Sequence, residues 1–367
     1  MKKIAIIGST GKIGSQTLDV IRSYPNDFKV VGLACGHPSE NFADQIKEFQ
    51  PKISAIAEKD GEGKIIKIVT HPEVDLVVMA VVGLSGLKPT LAAIKAKKTV
   101  ALATKEVLVI AGQIVMEEIK KHKTTLIPLD SEHAAIFQAL KSGRKEEIKK
   151  VILTMGQGPI AKMREKELEK VTLKDIFNRP AWTMGTKIAV DSATGMNKSF
   201  EVIEARWLFD LKPEQIEILV HPQYLCHSLV EFVDGSIITE LGLPDMKRYL
   251  QYALFYPERK KTKVVGSLDL MGKKLSFIRS PLEKFPCLGL GHRALLSDGT
   301  MPAVMHGADR AAVEDFLGNK IRFTQIPEVI IKTMNNHRVI RRKTLFIKKP
   351  TLDQLFKAEE WGFNYAK

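Results

Sequence analysis

Lys3-Ile4-Ala5-Ile6-Ile7-Gly8-Ser9-Thr10-Gly11-Lys12-Ile13-Gly14 begins with a short apolar run of buried-strand type and passes directly into glycines at three-residue intervals. The next residues, SQTLDVIRSY, carry their apolar members at helical spacing. Strand, GxxGxxG turn and helix in that order suit a dinucleotide. The glycines let the backbone approach a pyrophosphate, and the helix N-terminus offers it free N–H groups. A plain tight turn is the bland alternative, and the position between a strand and a helix argues against it.

The second strand, Phe28 to Ala34, runs into Cys35-Gly36-His37-Pro38-Ser39. An NAD site usually ends this strand with a carboxylate for the ribose hydroxyls. None occurs before Glu40, and His37 and Ser39 stand ready as donors, which leans toward the 2′-phosphate of NADP. Strand-type runs recur at residues 75–82, 99–103 and 125–127, with the helical stretch LKPTLAAIKA between the first two. This β/α alternation predicts an α/β fold whose first domain is a doubly wound parallel sheet. Thr104-Lys105-Glu106-Val107 follows one of these strands, where a lysine meets substrate as readily as solvent.

Pro128-Leu129-Asp130-Ser131-Glu132-His133 lies where the next strand gives way to the helical pattern AAIFQAL. Ligands of open α/β sheets bind at such strand ends. Asp130 and Glu132 can turn oxygens toward one hard cation, or Asp130 or Ser131 can simply cap the helix. Farther on, a strand over 147–154 ends in Met155-Gly156-Gln157-Gly158-Pro159. The loop Asn178-Arg179-Pro180-Ala181-Trp182-Thr183-Met184-Gly185 places a Trp and a Met between Pro and Gly, a composition suited to a flap closing over a ring. Between 188 and 209, Ser192 and Thr194 are N-cap types, and Asn197, Glu201 and Glu204 share a helix face flanked by Lys198. That face reads either as a surface ion-pair ladder or as a phosphate cradle with Glu201 one turn deeper.

At 367 residues the chain is long enough for two or three domains, and 44% hydrophobic with 27% charged residues describes a globular, enzyme-like composition. No apolar run reaches the length of a membrane span, and the apolar part of MKKIAIIGST is too short for a signal-peptide core. Cys35, Cys226 and Cys287 are odd in number and far apart, in no metal spacing, which fits a reduced cytoplasmic setting. The net charge of +14 comes from scattered lysine clusters without interleaved aromatics. It reads as a solvated basic surface that mildly steers anions, with neither nucleic acid nor membrane as a partner.

The segments GSTGKIGSQTLDV, KEVLVIAG, PLDSEHAAIFQ, WTMGTKIAVDSAT, MNKSFEVIEARWLF, HPQYLCHSLVEFVDGS and GLPDMKRYL, in this order, resemble the 1-deoxy-D-xylulose 5-phosphate reductoisomerase family over most of residues 1–260. The resemblance implies an NADPH- and Mg²⁺- or Mn²⁺-dependent rearrangement and reduction of 1-deoxy-D-xylulose 5-phosphate to 2-C-methyl-D-erythritol 4-phosphate, in isoprenoid precursor synthesis. It implies metal binding by Asp130, Glu132 and Glu201, with Lys105 stabilising developing oxyanion charge. The phosphosugar would be held by Ser131, Lys105, Glu132, Ser192, Asn197, Lys198 and Glu201. NADPH would meet Gly8, Thr10, Gly11, Lys12, Ile13, Gly36, His37, Thr104, Glu106 and Gly185, and Trp182 and Met184 would belong to the closing flap. A homodimer is also implied. A related NADP-dependent phosphosugar dehydrogenase and a non-catalytic nucleotide-binding paralogue are the competing readings.

Several positions depart from the family pattern. Its Asn-Lys-Glu-Ser is Thr104-Lys105-Glu106-Val107, and its Ser-Gly-Gly loop is Gly156-Gln157-Gly158, without the serine expected on the phosphate. Its His-Pro-Asn-Trp flap is Arg179-Pro180-Ala181-Trp182. Arg179 can replace the lost serine by bidentate bonds to the phosphate, or stand exposed on a loosened flap. In the C-terminal part, Asn-Ala-Ala-Asn-Glu is His306-Gly307-Ala308-Asp309-Arg310. The expected organisation is a Rossmann-type NADPH-binding domain over 1–125 and an α+β catalytic and dimerisation domain over 126–255. A linker over 256–281 and a C-terminal helical bundle over 282–367 follow. Asp234-Gly235 predicts a two-residue hairpin turn within the second domain.

Overall fold

Branched apolar residues dominate the first strands because both faces of a parallel sheet are covered by helices. A computed structural model of the chain describes residues 1–177, 185–340 and 349–367, with the side chains of 338–340 excepted. Strands β1 (Lys2–Ile7), β2 (Phe28–Cys35), β3 (Ile53–Ile56), β4 (Leu76–Met79), β5 (Thr99–Leu102) and β6 (Leu126–Pro128) form one six-stranded sheet in the order β3-β2-β1-β4-β5-β6. Every pairing in it is parallel. This is the doubly wound order, with its switch point between β1 and β4. β3 went unpredicted because Ile53-Ser54-Ala55-Ile56 is too short and too mixed to show a period.

By packing, the chain divides into two units. The first comprises 1–107, 113–138 and 245–269, and the second 108–112, 139–244 and 270–367. This division cuts across the sequence-order domains, because the helix Met246–Phe255 returns to the first sheet. Leu250, Ala253, Leu254 and Phe255 are buried with Ile4, Leu18, Tyr24 and Phe28 in one apolar cluster. Phe255 sets its ring 4.9 Å from Tyr24 and 4.7 Å from Phe28. The Tyr24 hydroxyl donates to Gln251 Oε1 at 3.0 Å and to the Lys261 carbonyl at 2.7 Å. Part of the expected linker is therefore tied to this core.

The second unit holds a five-stranded sheet of β7 (Ile148–Met155), β8 (Ile216–Val220), β9 (Cys226–Phe232), β10 (Ile237–Leu241) and β11 (Ile278–Arg279), ordered β10-β9-β7-β8-β11. β7 and β8 run parallel, and the other neighbours are antiparallel. The β9–β10 hairpin has a three-residue loop, Val233-Asp234-Gly235, instead of the expected two. Phe232 N–H donates to the Ser236 carbonyl at 2.9 Å and Gly235 N–H to the Phe232 carbonyl at 3.0 Å, the bulged form of the turn. Beyond it, the helices Leu290–Ser297, Met301–Leu317, Gln325–Ile340 and Leu352–Ala366 form the expected helical bundle. Among the described residues, no helix is long and apolar enough to cross a membrane.

Candidate active site

The turn after β1 is built as a dinucleotide cradle. Gly8 and Ser9 donate backbone N–H groups to the Ala34 carbonyl at 2.8 and 2.9 Å, and Gly11 N–H donates to Gly8 at 3.1 Å. Gly8 has φ +88°, and a β-carbon there would run into the Ala80 carbonyl, so the turn admits only glycine. Gly11 occupies the N-cap of the helix Lys12–Ser23 and leaves its first N–H groups without a side-chain cap. Such an end fits a pyrophosphate. Thr10 is half-buried, Gly11 and Lys12 are exposed, and Ile13 packs against the core. Burial lowers the Lys12 ammonium from its ordinary range, against the pull of Asp245.

After β2, His37 is exposed and its Nδ1 lies 2.9 Å from Glu58 Oε2. Ser39 accepts from Phe42 N–H at 3.2 Å and so caps the helix Glu40–Phe49. The hydroxyl expected to meet a 2′-phosphate is thus engaged in capping. Gly36 beside it has open space over its α-carbon. Thr104, at the end of β5, is buried and donates to the Val81 carbonyl at 2.6 Å, tying that strand end to the loop after β4. Glu106 stands in the first turn of the helix Glu106–His122.

Asp130 uses its carboxylate oxygens on two different sets of donors. Its carbonyl accepts the first helical bond from Ala134 N–H at 2.8 Å, and Oδ1 accepts from the adjacent Ser131 N–H at 3.1 Å at the helix start. Its other oxygen accepts from Lys105 Nζ at 2.9 Å and lies 3.5 Å from His133 Nδ1. Burial opposes ionisation of Asp130, but the Lys105 ammonium and the His133 ring hold it well below the usual carboxylate range. Ser131 Oγ donates to Glu132, orienting the second carboxylate. Sequence reading passed over His133, a buried side chain whose position three residues after Asp130 on one helix was the available signal.

In the second unit, the helix Thr186–Thr194 ends at Gly195 and the helix Met196–Phe209 begins at once. Ser192 therefore lies inside a helix, and Thr194 Oγ1 accepts from Met196 N–H at 3.3 Å. Glu201, Glu204 and Lys198 are buried, which rules out a surface ladder. Glu201 accepts from Asn197 Nδ2 at 2.6 Å and from Lys198 Nζ, and Lys198 Nζ also donates to the Thr154 carbonyl at 2.6 Å. A buried glutamate oriented by neighbouring donors is the kind of group that suits a hard cation. Gly185 is the exposed N-cap of the helix Thr186–Thr194. Arg179, Trp182 and Met184 lie outside the described residues.

A second buried charge cluster, also missed from sequence, stands beside this helix pair. Lys187 Nζ donates to Asp191 at 2.7 Å and to Asp309 at 2.5 Å, and lies over the Phe200 ring. Burial alone would lower Lys187, but the two carboxylates raise it above the ordinary lysine range. Asp309 is one of the positions that depart from the family pattern. Cys35, Cys226 and Cys287 are all free and buried.

A doubly wound sheet with a dinucleotide turn after β1 and paired acids after β6 defines a nucleotide-dependent α/β enzyme. The models of the 1-deoxy-D-xylulose 5-phosphate reductoisomerase family match residues 4–65 and 58–112, and those of its C-terminal domains match 126–209 and 241–364. The chain is 45% identical to the 1-deoxy-D-xylulose 5-phosphate reductoisomerase of Thermoanaerobacter pseudethanolicus, over 94% of this chain and 95% of the relative. It is 44% identical to that of Pelodictyon phaeoclathratiforme, over 100% and 99%. A crystal structure of DOX-P reductoisomerase with NADPH, fosmidomycin and magnesium is similar at TM-score 0.92 and 35% identity, covering 100% of this chain and 97% of that one. The Zymomonas mobilis enzyme with NADPH gives 0.91 and 34%, covering 100% and 98%. The chain belongs to the 1-deoxy-D-xylulose 5-phosphate reductoisomerase family.

Proposed function

We propose that this chain converts 1-deoxy-D-xylulose 5-phosphate to 2-C-methyl-D-erythritol 4-phosphate, using NADPH and a divalent ion, Mg²⁺ or Mn²⁺. One observation carries the reading. All strands of the first sheet are parallel, so the dinucleotide turn after β1, Lys105 after β5 and the Asp130–Glu132 pair after β6 open on the same carboxyl edge. The proposed hydride donor and two of the three proposed metal carboxylates thereby belong to one sheet edge.

When bound, the ion supplies positive charge to vicinal substrate oxygens and NADPH supplies hydride. The chain's own residues do the rest. Asp130, Glu132 and Glu201 are the proposed metal ligands. The Lys105 ammonium, fixed by Asp130, stabilises oxyanion charge that develops as the C3–C4 bond breaks. Ser131, Ser192, Asn197 and Lys198 donate to the phosphosugar and hold the fragments for recombination. Thr10, Gly11, Lys12, Ile13, Gly36, His37, Thr104, Glu106 and Gly185 are the proposed NADPH contacts, and Trp182 and Met184 the flap. We also propose a cytoplasmic homodimer, for which the free cysteines and the family resemblance speak.

NADPH oxidation followed at 340 nm, a wavelength set by the cofactor, with the ketose phosphate and Mg²⁺, tests the function. Turnover that stops with chelator is the expected result. Tight NADPH binding without turnover would instead favour a non-catalytic paralogue, and turnover only with another phosphosugar would favour a related dehydrogenase. Neither alternative gains from relatives that match along nearly their whole length.

A further inference from the structure

β7 and β8 are parallel neighbours, with Met155 paired to Val220 and His221 N–H donating to the Met155 carbonyl at 2.7 Å. Gly156 and Tyr224 therefore leave the carboxyl ends of adjacent parallel strands. A β-carbon built on Gly156 would fall inside the Tyr224 ring, against Cε1, Cζ and the hydroxyl oxygen. The two positions share one place: while Tyr224 fills it, residue 156 has to be glycine. Tyr224 reaches it with φ +56°, a left-handed backbone that a bulky residue keeps only where its surroundings impose it. Lys198 belongs to the same strand end, because its Nζ donates to the Thr154 carbonyl two residues before Gly156.

The geometry points to Tyr224 as a further substrate-binding residue, whose phenol hydroxyl stands where a hydroxyl carried by residue 156 would stand. It donates to the phosphate of the phosphosugar that Ser192, Asn197 and Lys198 are proposed above to hold, and so rests on that functional reading. A phenol O–H to a phosphate oxygen is a charge-assisted bond, among the stronger kinds in proteins. The substitution works in both directions. The tyrosine excludes a serine at 156 by volume and replaces its donor from the neighbouring strand.

Steady-state kinetics with NADPH, Mg²⁺ and 1-deoxy-D-xylulose 5-phosphate test the assignment in three forms of the full chain. Tyr224→Phe keeps the ring and removes the donor, and is expected to raise KM about tenfold with kcat within about twofold of the parent. The double variant Gly156→Ser/Tyr224→Ser returns the hydroxyl to the loop and is expected to bring KM back to within about threefold. Tyr224→Phe with an unchanged KM, in a parent chain that turns over, overturns the role of Tyr224 alone. A parent chain that does not oxidise NADPH with this ketose phosphate overturns the functional reading, and this inference with it.

Discussion

Asp130 shows how one side chain can serve fold and chemistry together. One oxygen satisfies an otherwise orphan N–H at a helix start, and the other holds the Lys105 ammonium at 2.9 Å. Removing that ammonium separates the roles. Lys105→Met is expected to lower kcat by about 10²- to 10³-fold while NADPH still binds, as read by cofactor fluorescence titration and initial rates. A rate within about threefold of the parent would show that Lys105 is only a structural counter-ion. Strand ends of an α/β sheet are where ligands sit, and the position of Asp130, Glu132 and Lys105 after strands of the first sheet was legible in the sequence. Tyr224 was not: nothing in the spacing of Gly156 and Tyr224 tells that adjacent parallel strands bring them to one point.

At the level of elements, buried ion clusters fix the helix Thr186–Thr194, which carries the proposed substrate residue Ser192, and two helices of the C-terminal bundle. The helix Thr186–Thr194 is tied to the helix Met301–Leu317 by Lys187 between Asp191 and Asp309, both carboxylates being buried. Lys187→Met leaves two buried acids without their cation and is expected to lower stability by about 3–5 kcal/mol, measured by urea unfolding. A loss under about 1 kcal/mol would mean that the acids find another partner or take up protons. The terminal helix Leu352–Ala366 is anchored through Glu359, which meets His306 Nδ1 at 3.0 Å and Arg310 Nε at 3.1 Å. Burial works against the Glu359 carboxylate, but bonding to His306 and Arg310 lowers its pKa below the ordinary value. The stability it contributes is therefore full above the unfolded glutamate value of about 4.3 and is lost as pH falls through the lower folded value. Glu359→Gln is expected to flatten the fall in urea midpoint below about pH 5, and an unaltered slope would assign acid sensitivity elsewhere. These clusters escaped sequence reading because their members lie up to 122 residues apart.

For the whole molecule, local pattern predicted the parallel sheet and the helical bundle because their strands and helices repeat clearly over many residues. It could not show that 245–269 returns to the first sheet, since the apolar face of Met246–Phe255 would suit any core. The net charge of +14 acts at this scale too. A basic surface that steers an anionic phosphosugar should give a kcat/KM that falls several-fold between about 20 and 200 mM salt, whereas an unchanged value would assign the charge to solubility alone. Glu201, on the helix Met196–Phe209, is proposed to act with Asp130 and Glu132 on one divalent ion. The direct test is Glu201→Gln, assayed for NADPH binding, for Mn²⁺ binding by electron paramagnetic resonance, and for turnover. NADPH binding is expected to persist while Mn²⁺ affinity and turnover fall by orders of magnitude; parent-like turnover in this variant would contradict the assigned metal site.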